Sequence, residues 1–453
     1  MRRIAAIERA GPGDLAMRAM SARASVQQQL GAVLLLEGGP GFDVSGAEKL
    51  LAERIRTVPR LRQRLVRPPP GAGSSLWLDD PDFDAGRHVR RLRCPEPGDE
   101  QALLDLAADI ASRPLPRDRP LWSATFVTGV PGDRLALLVV MHHVLVDGIG
   151  GLAVLGRLVD PPDEPGPVSV SEPFPRPRPS YARLAAGATV AKVRALRRLP
   201  SAVRALRRST VAAGGIHPSD AARCSLLGRT GTRHRFAEVR TDLDRLHTAA
   251  HAAGGTVNDA LLAAIGGTLA SVLKRRGESV ETLVVAVMVS GRGSVTAEQL
   301  GNAATPLLVA VPTEGDVTQR LRQIAGTVRR ARGRAAGPSM IAVLGPVFRV
   351  AAVAGLYRWY LDHQHRFHTL VSNVPGPDRR LTFDGVPITE IVPVGVGDSG
   401  NVVVSFLALS YAGSLTVTMA VDPEQVPELG ALAAALQDEL EALADSAAGS
   451  RRA

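Results

Sequence analysis

The sequence predicts an α/β protein of two domains. Its 453 residues exceed what a single hydrophobic core usually holds, and 45% of them are hydrophobic, as in folded globular proteins. Strand-like apolar runs and helical periodicity occur in both halves. Residues 161–179 contain eight prolines, which excludes regular helix or a central strand. We predict an N-terminal domain over 1–160, a proline-rich linker and basic helix over 161–215, and a C-terminal domain over 216–453.

The elements of the first half follow from hydrophobic periodicity and from helix-start and turn signals. In chain order these are a strand at 32–36, a helix from the capping box of Ser45 and Glu48 to about Thr57, a helix at 99–111, and strands at 123–127 and 135–141 that pair across the turn at 131–133.

The elements of the second half are predicted in the same way. They are a strand at 233–239, helices at 242–253 and 260–274, strands at 283–289 and 307–313, a basic amphipathic helix at 316–334, hairpin strands at 402–410 and 415–421, and a helix at 427–444. Residues 335–360 are apolar, but two prolines and an arginine interrupt them. This favours a buried or interfacial helix over a spanning one.

Cysteine usage and the N-terminus indicate a cytoplasmic location. Cys94 and Cys224 are the two cysteines of the chain, and their contexts suggest neither a disulfide framework nor a metal site. Acidic Glu8 and Asp14 arrive before any apolar segment, so we expect no secretory signal. No run of about 18 apolar residues is free of charge, which disfavours a spanning helix.

The net charge of +10 is concentrated in one stretch. Between Tyr181 and Thr210 there are eight basic residues and no acidic residue. Alanine, leucine and valine lie between the charges, whereas a nucleic-acid-binding patch usually carries aromatic residues or a recognisable motif. We expect no nucleic-acid partner and consider two alternatives, contact with an anionic lipid surface and a solvated basic helix.

The strongest candidate for chemistry is the stretch from His142 to Gly148. The apolar run 135–141 ends in His142 and His143, and Asp147 and Gly148 follow in a glycine-rich turn. A buried strand that delivers a histidine to a loop is a common arrangement at functional sites. Histidine titrates near neutral pH, so it can accept the proton of an alcohol as the alcohol attacks an activated acyl group.

Two other interpretations of this stretch remain open. His142, His143 and Asp147 are possible metal ligands, but adjacent strand residues point to opposite faces and no third partner lies nearby in the sequence. Alternatively, both histidines are satisfied core residues and Asp147 caps the next helix. Under the general-base interpretation, one histidine faces the reaction while the other packs or orients it.

The stretch resembles the His-His-x-x-x-Asp-Gly motif of the coenzyme A-dependent acyltransferase superfamily typified by chloramphenicol acetyltransferase. The motif alone also fits peptide-condensation domains and polyketide-associated acyltransferases. Other segments are similar to the bacterial wax ester synthase/diacylglycerol acyltransferase family: Pro120-Leu121-Trp122, Val257-Asn258-Asp259, Gly301-Asn302 and Ser372-Asn373-Val374-Pro375-Gly376-Pro377.

The resemblance implies two chloramphenicol acetyltransferase-like domains with the active site in a channel between them. It implies that His143 is the general base, with His142 and Asp147 as further catalytic residues, Asp147 acting on the loop through an arginine. It places the substrate at four positions: Gly148, Asn258, Ser372 and Asn373. For Asp259, helix capping is the favoured interpretation. The implied reaction uses acyl-CoA as substrate, with no cofactor and no metal.

By the same resemblance, the expected function is transfer of a long-chain fatty acyl group to diacylglycerol or to a long-chain alcohol. The first alternative is a superfamily acyltransferase that uses a sugar, polyketide or carrier-bound acceptor. The second is a non-catalytic lipid-surface binding protein. We expect peripheral association with the inner face of the plasma membrane or with lipid droplets.

Overall fold

The computed structural model describes residues 8–22, 24–39, 41–160, 174–194, 197, 221–290, 300–302, 304–332, 348–397 and 400–450. The elements of the first half are α1 (Pro12–Met20), β1 (Gln29–Leu36), α2 (Val44–Arg56), β2 (Gln63–Val66), β3 (Leu76–Asp79), β4 (Val89–Arg93), α3 (Glu100–Ser112), β5 (Trp122–Val130), β6 (Arg134–His142), α4 (Gly148–Leu158) and α5 (181–194). Short 3₁₀ turns lie at Pro59–Arg62, Ala85–Arg87 and Pro131–Asp133.

The second half continues with β7 (Arg235–Asp242), α6 (Leu243–Ala252), α7 (Val257–Arg275), β8 (Thr282–Ser290), β9 (Ala304–Pro312), α8 (Val317–Arg332), α9 (348–353), α10 (Leu356–Asp362), β10 (Thr369–Pro375), β11 (Thr382–Phe383), β12 (Val386–Val396), β13 (Val404–Tyr411), β14 (Ser414–Val421) and α11 (Leu429–Ser450).

The strands form two six-stranded sheets and a small ribbon of β2 and β3. The first sheet has the order β11-β12-β1-β6-β5-β4, and the second has the order β7-β14-β13-β10-β8-β9. β6 lies inside the first sheet, with β1 and β5 antiparallel on either side. In the second sheet β10 runs parallel to both of its neighbours, β13 and β8.

Strand β6 is buried on both faces, which explains its continuous apolar sequence. Its odd-numbered residues, Leu135 to Met141, pack with α2 and α4 on one face. Its even-numbered residues, Ala136 to Val140, pack with α3 and with residues of β12 on the other. This period of two fixes the strand register and with it the position at which the chain leaves the sheet.

Strand pairing crosses the predicted domain boundary. Residues 382–396 belong to the second half of the chain, but β12 pairs along its length with β1 and thereby adds β11 and β12 to the first sheet. The second half therefore supplies one edge of the N-terminal sheet. Sequence periodicity identifies such a strand without identifying its partner, so the sequence did not predict this crossover.

Several predicted elements are confirmed, but the starts of two helices differ from the prediction. One is α7, which begins at Val257 and not at residue 260. β5 and β6 pair across the turn at 131–133, as predicted. The start of α2 differs, because Asp43 is the N-cap and its carboxylate accepts the Ser45 backbone N–H at 3.0 Å. Ser45 instead lies within the first turn. A carboxylate is among the best N-cap groups, so Asp43 takes the position two residues earlier.

Parts of three predictions lie outside the described residues: the linker 161–173, most of the basic stretch beyond 194, and the apolar segment 335–347. Among the described helices, α7 is long and apolar enough to cross a membrane by length and composition. However, 72% of its most apolar window is buried within the protein, where α7 packs in the core of the second sheet with α8 and α11.

Candidate active site

The loop that follows β6 is fixed at both ends. The His143 backbone N–H donates to the Gln28 carbonyl at 2.8 Å, just before β1. At the other end Asp147 is the N-cap of α4, and its Oδ1 accepts the Gly150 N–H at 2.9 Å. Asp147 is buried, as are the three apolar residues before it. The capping role is thus a property of the structure, and the predicted catalytic role of Asp147 stays a prediction.

Glycine at position 148 is needed for close packing against the second sheet. A Cβ atom built there would lie 2.9 Å from a methyl group of Val374, on β10. The first turn of α4 therefore approaches the segment 372–377 more closely than a larger side chain would allow. The structure thus brings together Gly148 and the end of β10, both predicted as parts of the site.

His142 is buried and held as a neutral ring. Its Nδ1 accepts the Val144 backbone N–H at 2.9 Å, so the ring proton must reside on Nε2. Burial first, then the neighbouring His143 and Arg117, lower the pKa of His142 to about 3. A ring with such a pKa is neutral at physiological pH and is a poor proton acceptor.

His143 has the opposite tautomer. Its Nδ1 lies 2.7 Å from Oδ1 of Asn302. The Nδ2 group of Asn302 donates to the His143 carbonyl at 2.8 Å and to the Asp14 carboxylate at 3.1 Å. Because a carbonyl and a carboxylate can only accept, the amide orientation is fixed and Oδ1 must accept from His143. Nδ1 therefore carries the proton, and the lone pair of Nε2 is available.

Asp14 completes a hydrogen-bonded chain that reaches His143 from helix α1. It is buried, and Oδ1 also accepts the Asn302 backbone N–H at 3.2 Å. Its Oδ2 accepts the Gly11 N–H at 3.0 Å, which closes the start of α1. Gly13 allows the close approach, because a Cβ there would clash with the backbone oxygen of Asn302. Neither Asp14 nor Asn302 was predicted as a site residue from the sequence, and only the resemblance at Gly301-Asn302 pointed to the second.

The predicted substrate-binding asparagines pair with each other. Nδ2 of Asn373, on β10, donates to Oδ1 of Asn258 at the start of α7, at 2.7 Å. Ser372 is half-buried on the same strand. In the described part of the chain no hydrogen bond links Asn258 or Asn373 to His143. Their substrate role stays a prediction. Asn373 lies on β10, the strand that approaches Gly148, and Asn258 is hydrogen-bonded to Asn373.

Asp259 is a helix-capping residue, as its sequence context favours. Its Oδ2 accepts from both the backbone N–H and the hydroxyl of Thr256, at 2.8 Å each, in a capping box at the start of α7.

A cavity of about 1550 Å³ begins beside His142. Val144 and Leu145 line it with His142, whereas His143 is not among its described lining residues. Its wall combines apolar side chains with arginines, and the described lining residues include no carboxylate. The arginines are Arg18, Arg64, Arg67, Arg117, Arg119 and Arg349.

No group of three histidine, cysteine or carboxylate side chains within the described ranges is arranged to hold a metal ion. The two histidines of the motif instead use Nδ1 for protein hydrogen bonds, His142 with Val144 and His143 with Asn302.

Comparison with models of known protein families identifies the family of this chain. Residues 17–261 match the model of the wax ester synthase/diacylglycerol acyltransferase catalytic domain, and residues 300–444 match the model of the C-terminal domain of the same family. The chain belongs to this acyltransferase family. The predicted resemblance and the predicted class of enzyme are therefore confirmed.

Relatives with curated descriptions cover nearly the whole chain. A probable diacylglycerol O-acyltransferase of Mycobacterium tuberculosis, tgs1, is 31% identical over 441 residues, which are 91% of this chain and 90% of the relative. A putative diacylglycerol O-acyltransferase of Mycobacterium bovis has the same identity and coverage.

Solved structures confirm the predicted fold class. The wax ester synthase/diacylglycerol acyltransferase of Marinobacter aquaeolei VT8 superposes with a TM-score of 0.68 at 22% identity, over 97% of this chain and 100% of that one. The starter condensation domain of rhizomide synthetase, crystallised with C8-CoA, gives a TM-score of 0.61 at 13% identity, over 98% and 95% of the two chains. The chain thus has the two-domain chloramphenicol acetyltransferase-like fold.

Proposed function

We propose that this protein transfers a long-chain fatty acyl group from acyl-CoA to the free hydroxyl of diacylglycerol, with Nε2 of His143 as the general base. The observation that carries the proposal is the hydrogen bond from His143 to Asn302, because it leaves the Nε2 lone pair free to accept a proton. His142 does not fit this role, since its Nε2 carries the ring proton and its pKa is low.

The proposed step needs no covalent enzyme intermediate. The acceptor hydroxyl gives its proton to Nε2 of His143 as its oxygen attacks the thioester carbonyl carbon. The carbonyl becomes a tetrahedral oxyanion. When the oxyanion collapses, the C–S bond breaks, and the departing thiolate takes the proton back from Nε2. Ester and free coenzyme A are the products, and His143 returns to its starting tautomer.

The residues around His143 have supporting roles in this proposal. Asn302 and Asp14 hold the ring and stabilise the imidazolium that forms during attack, because Asp14 places a buried carboxylate two hydrogen bonds from Nδ1. His142 orients the loop through Val144. Asn258, Ser372, Asn373 and Gly148 form the wall of the substrate channel, as the family resemblance implies.

The acceptor is proposed from the relatives. Both mycobacterial proteins at 31% identity are described as diacylglycerol O-acyltransferases. The family description and the Marinobacter aquaeolei structure also include wax ester synthase, which makes a long-chain alcohol the second candidate acceptor.

The test is ester formation from radiolabelled palmitoyl-CoA by the purified full-length protein. Dioleoylglycerol and hexadecanol are supplied separately and then in competition. We expect triacylglycerol as the main product, and a loss of about 10²–10⁴-fold in rate for His143→Ala, which is the usual contribution of a general base.

His142→Asn is the matched control, because its amide oxygen can still accept the Val144 N–H. It should keep most of the activity. A His143→Ala variant as active as the wild type would remove His143 from the mechanism. Wax ester as the main product would indicate a long-chain alcohol as the acceptor instead of diacylglycerol. If neither lipid gives an ester, the proposed substrate class is refuted.

A further inference from the structure

The cavity beside His142 has the charge of an anion-binding site. Its wall carries six arginines, and the described lining residues include no carboxylate. Two of the arginines have a carboxylate near them, Asp80 and Asp118. The other four form no ion pair with any residue that the structure describes: Arg18, Arg67, Arg117 and Arg349. Such an excess of guanidinium groups attracts a ligand with more than one negative charge.

Positive charges lie close to one another in this wall. Arg18 is held by a hydrogen bond from Nη1 to the Ser75 hydroxyl, at 2.8 Å. Burial first, and then the charge of Arg67, lower the pKa of the Arg18 guanidinium. Arg117 is near enough to His142 to contribute, after burial and His143, to the low pKa of that ring. Like charges repel, so an anion bound among these groups would offset a repulsion that the folded protein already contains.

Uncharged polar groups occur in the same wall. Nδ1 of His142 accepts the Val144 N–H, so Nε2 carries the ring proton and is a donor, and the ring lines the cavity. Four further lining residues are buried and have a polar atom without a hydrogen-bond partner among the described residues. These atoms are Oγ of Ser21, Oε1 of Gln27, Oε1 of Gln63 and Nε1 of Trp77. Because buried polar atoms are usually hydrogen-bonded, this set favours a ligand with both acceptor oxygens and a hydroxyl.

The remaining wall of the cavity is largely apolar. It includes Leu15 of α1, Leu65 of β2 and Leu121 before β5, together with Val144 and Leu145 of the loop after β6. The cavity volume of about 1550 Å³ is far more than an inorganic anion needs. An anion alone would leave these aliphatic side chains without a partner. The wall therefore matches a ligand in which an anionic head is joined to an apolar chain.

We propose that this cavity binds a lipid phosphate monoester, a glycerol phosphate that carries an acyl chain. A phosphate monoester has a charge of about −1.5 to −2 at pH 7 and acceptor oxygens that match the planar fork of arginine. The phosphate lies among the arginines, and the glycerol oxygens meet His142 and the buried polar groups. The acyl chain follows the apolar wall. The ligand thus contacts the loop that carries His143 without touching Nε2 of that ring.

The two substrates of the proposed reaction match this wall less well. Diacylglycerol has no charge for the arginines to contact. The thioester of acyl-CoA must reach His143, which is not among the described lining residues. Adenine would need a free aromatic face, but Trp77 is 3% exposed and the Arg60 guanidinium lies 3.9 Å from the centre of its ring. The inference does not rest on the proposed function, because it assigns no step of acyl transfer.

Binding is measured by equilibrium dialysis of the purified full-length protein against radiolabelled oleoyl lysophosphatidate, below its critical micelle concentration. The double substitution Arg67→Gln and Arg117→Gln removes two exposed cavity arginines that form no ion pair with described residues. Affinity should fall by about 10–100-fold, as expected for the loss of hydrogen bonds between charged groups.

The matched control is Arg56→Gln with Arg275→Gln, which removes the same charge at two exposed positions outside the cavity. This protein should bind the lipid like the wild type. His143→Ala should also bind normally, so that failure of the proposed acyl transfer and failure of lipid binding are told apart. Circular dichroism verifies that each variant is folded.

Unlabelled competitors identify the parts of the ligand that are recognised. Dioctanoyl phosphatidate should displace the labelled lipid, whereas monooleoylglycerol, which lacks the phosphate, and inorganic phosphate, which lacks the chain, should do so only at much higher concentration. Three results would overturn the proposal. The first is an absence of saturable binding, and the second is unchanged affinity in the folded Arg67→Gln, Arg117→Gln protein. The third is displacement by coenzyme A, monooleoylglycerol or inorganic phosphate at a lower concentration than by phosphatidate, since the cavity would then hold that compound instead.

Discussion

His142 and His143 are neighbours in the chain, yet the structure gives them opposite surroundings. His142 faces the arginine-containing cavity and accepts a backbone N–H at Nδ1. His143 faces the second half of the chain and donates from Nδ1 to Asn302. The same residue type thus carries its proton on Nε2 in one case and on Nδ1 in the other. The partner of Nδ1, and not the motif itself, decides which ring can act as a base.

Among the residues that contact the two histidines, Asn302 should give the largest effect, because it sets the His143 tautomer. Asn302→Leu deletes the acceptor of the Nδ1 proton and both donors on Nδ2. We expect kcat to fall about 10²-fold, within the usual contribution of general-base catalysis, while KM for acyl-CoA changes little. Steady-state kinetics across pH measures both.

Asn302→Ser keeps a hydroxyl oxygen on this side chain and should recover part of the rate lost in Asn302→Leu. The acidic limb of the Asn302→Leu pH–rate profile should shift relative to wild type, because the imidazolium loses its partner. A purely structural role for Asn302 would instead lower Tm and leave the profile of the remaining activity unmoved.

The contacts of Asn302 also show which parts of the site could be predicted from the sequence. The motif, the strand before it and the turn after it are local, so periodicity and residue type predicted them. Asn302 is 159 residues from His143, and Asp14 is 288 residues from Asn302. No local pattern links residues so far apart, and a lone aspartate in a first helix turn usually indicates only capping. The crossover of β12 into the first sheet was unpredicted for the same reason.

A smaller effect should follow from displacing Asn302 without changing its chemistry. Gly13→Ala places a methyl group against the backbone oxygen of Asn302, so α1 or the segment 300–302 must shift. Overpacking of this kind costs about 1–3 kcal/mol of stability. Activity should fall as well, since the Asp14 contact moves with α1.

Gly11→Ala is the control on the same turn, because the nearest atom to its added Cβ is 3.7 Å away. Chemical denaturation and acyl transfer are measured for both variants. Equal stability and activity of the two proteins would contradict the close packing of α1 against Asn302.

The burial of His142 can be tested by its effect on the stability of the protein at acid pH. The pKa of His142 is about 3 in the folded protein, and an unfolded histidine titrates near 6.5. As pH falls below about 6.5, the unfolded state binds a proton that folded His142 does not, so stability is complete above that pH and is lost toward pH 3. The expected slope is about 1.4 kcal/mol per pH unit.

His142→Asn should remove this share of the acid sensitivity, because asparagine keeps the acceptor for Val144 and cannot be protonated. Burial also lowers the pKa of His88 and His368, so the variant should retain their contribution. Denaturant unfolding at several pH values between about 4 and 7 measures the slope. Most of this range lies between the folded and unfolded pKa values of His142, about 3 and about 6.5. An unchanged slope would show that His142 is more accessible to protons than its burial indicates.

The smallest effect should come from substituting Asp147, the N-cap of α4. If its part is to cap the helix, Asp147→Ala should cost about 0.5–2 kcal/mol of stability. Asp147→Asn should cost less, because an amide oxygen can still accept the Gly150 N–H. Under this view both variants keep a kcat near that of the wild type once they are folded, because a cap acts on the start of the helix and not on the reacting atoms. If instead the carboxylate charge supports catalysis, Asp147→Asn should lose activity while it keeps its Tm. The amide variant, measured for Tm and kcat in the same preparation, therefore separates a capping residue from a catalytic one.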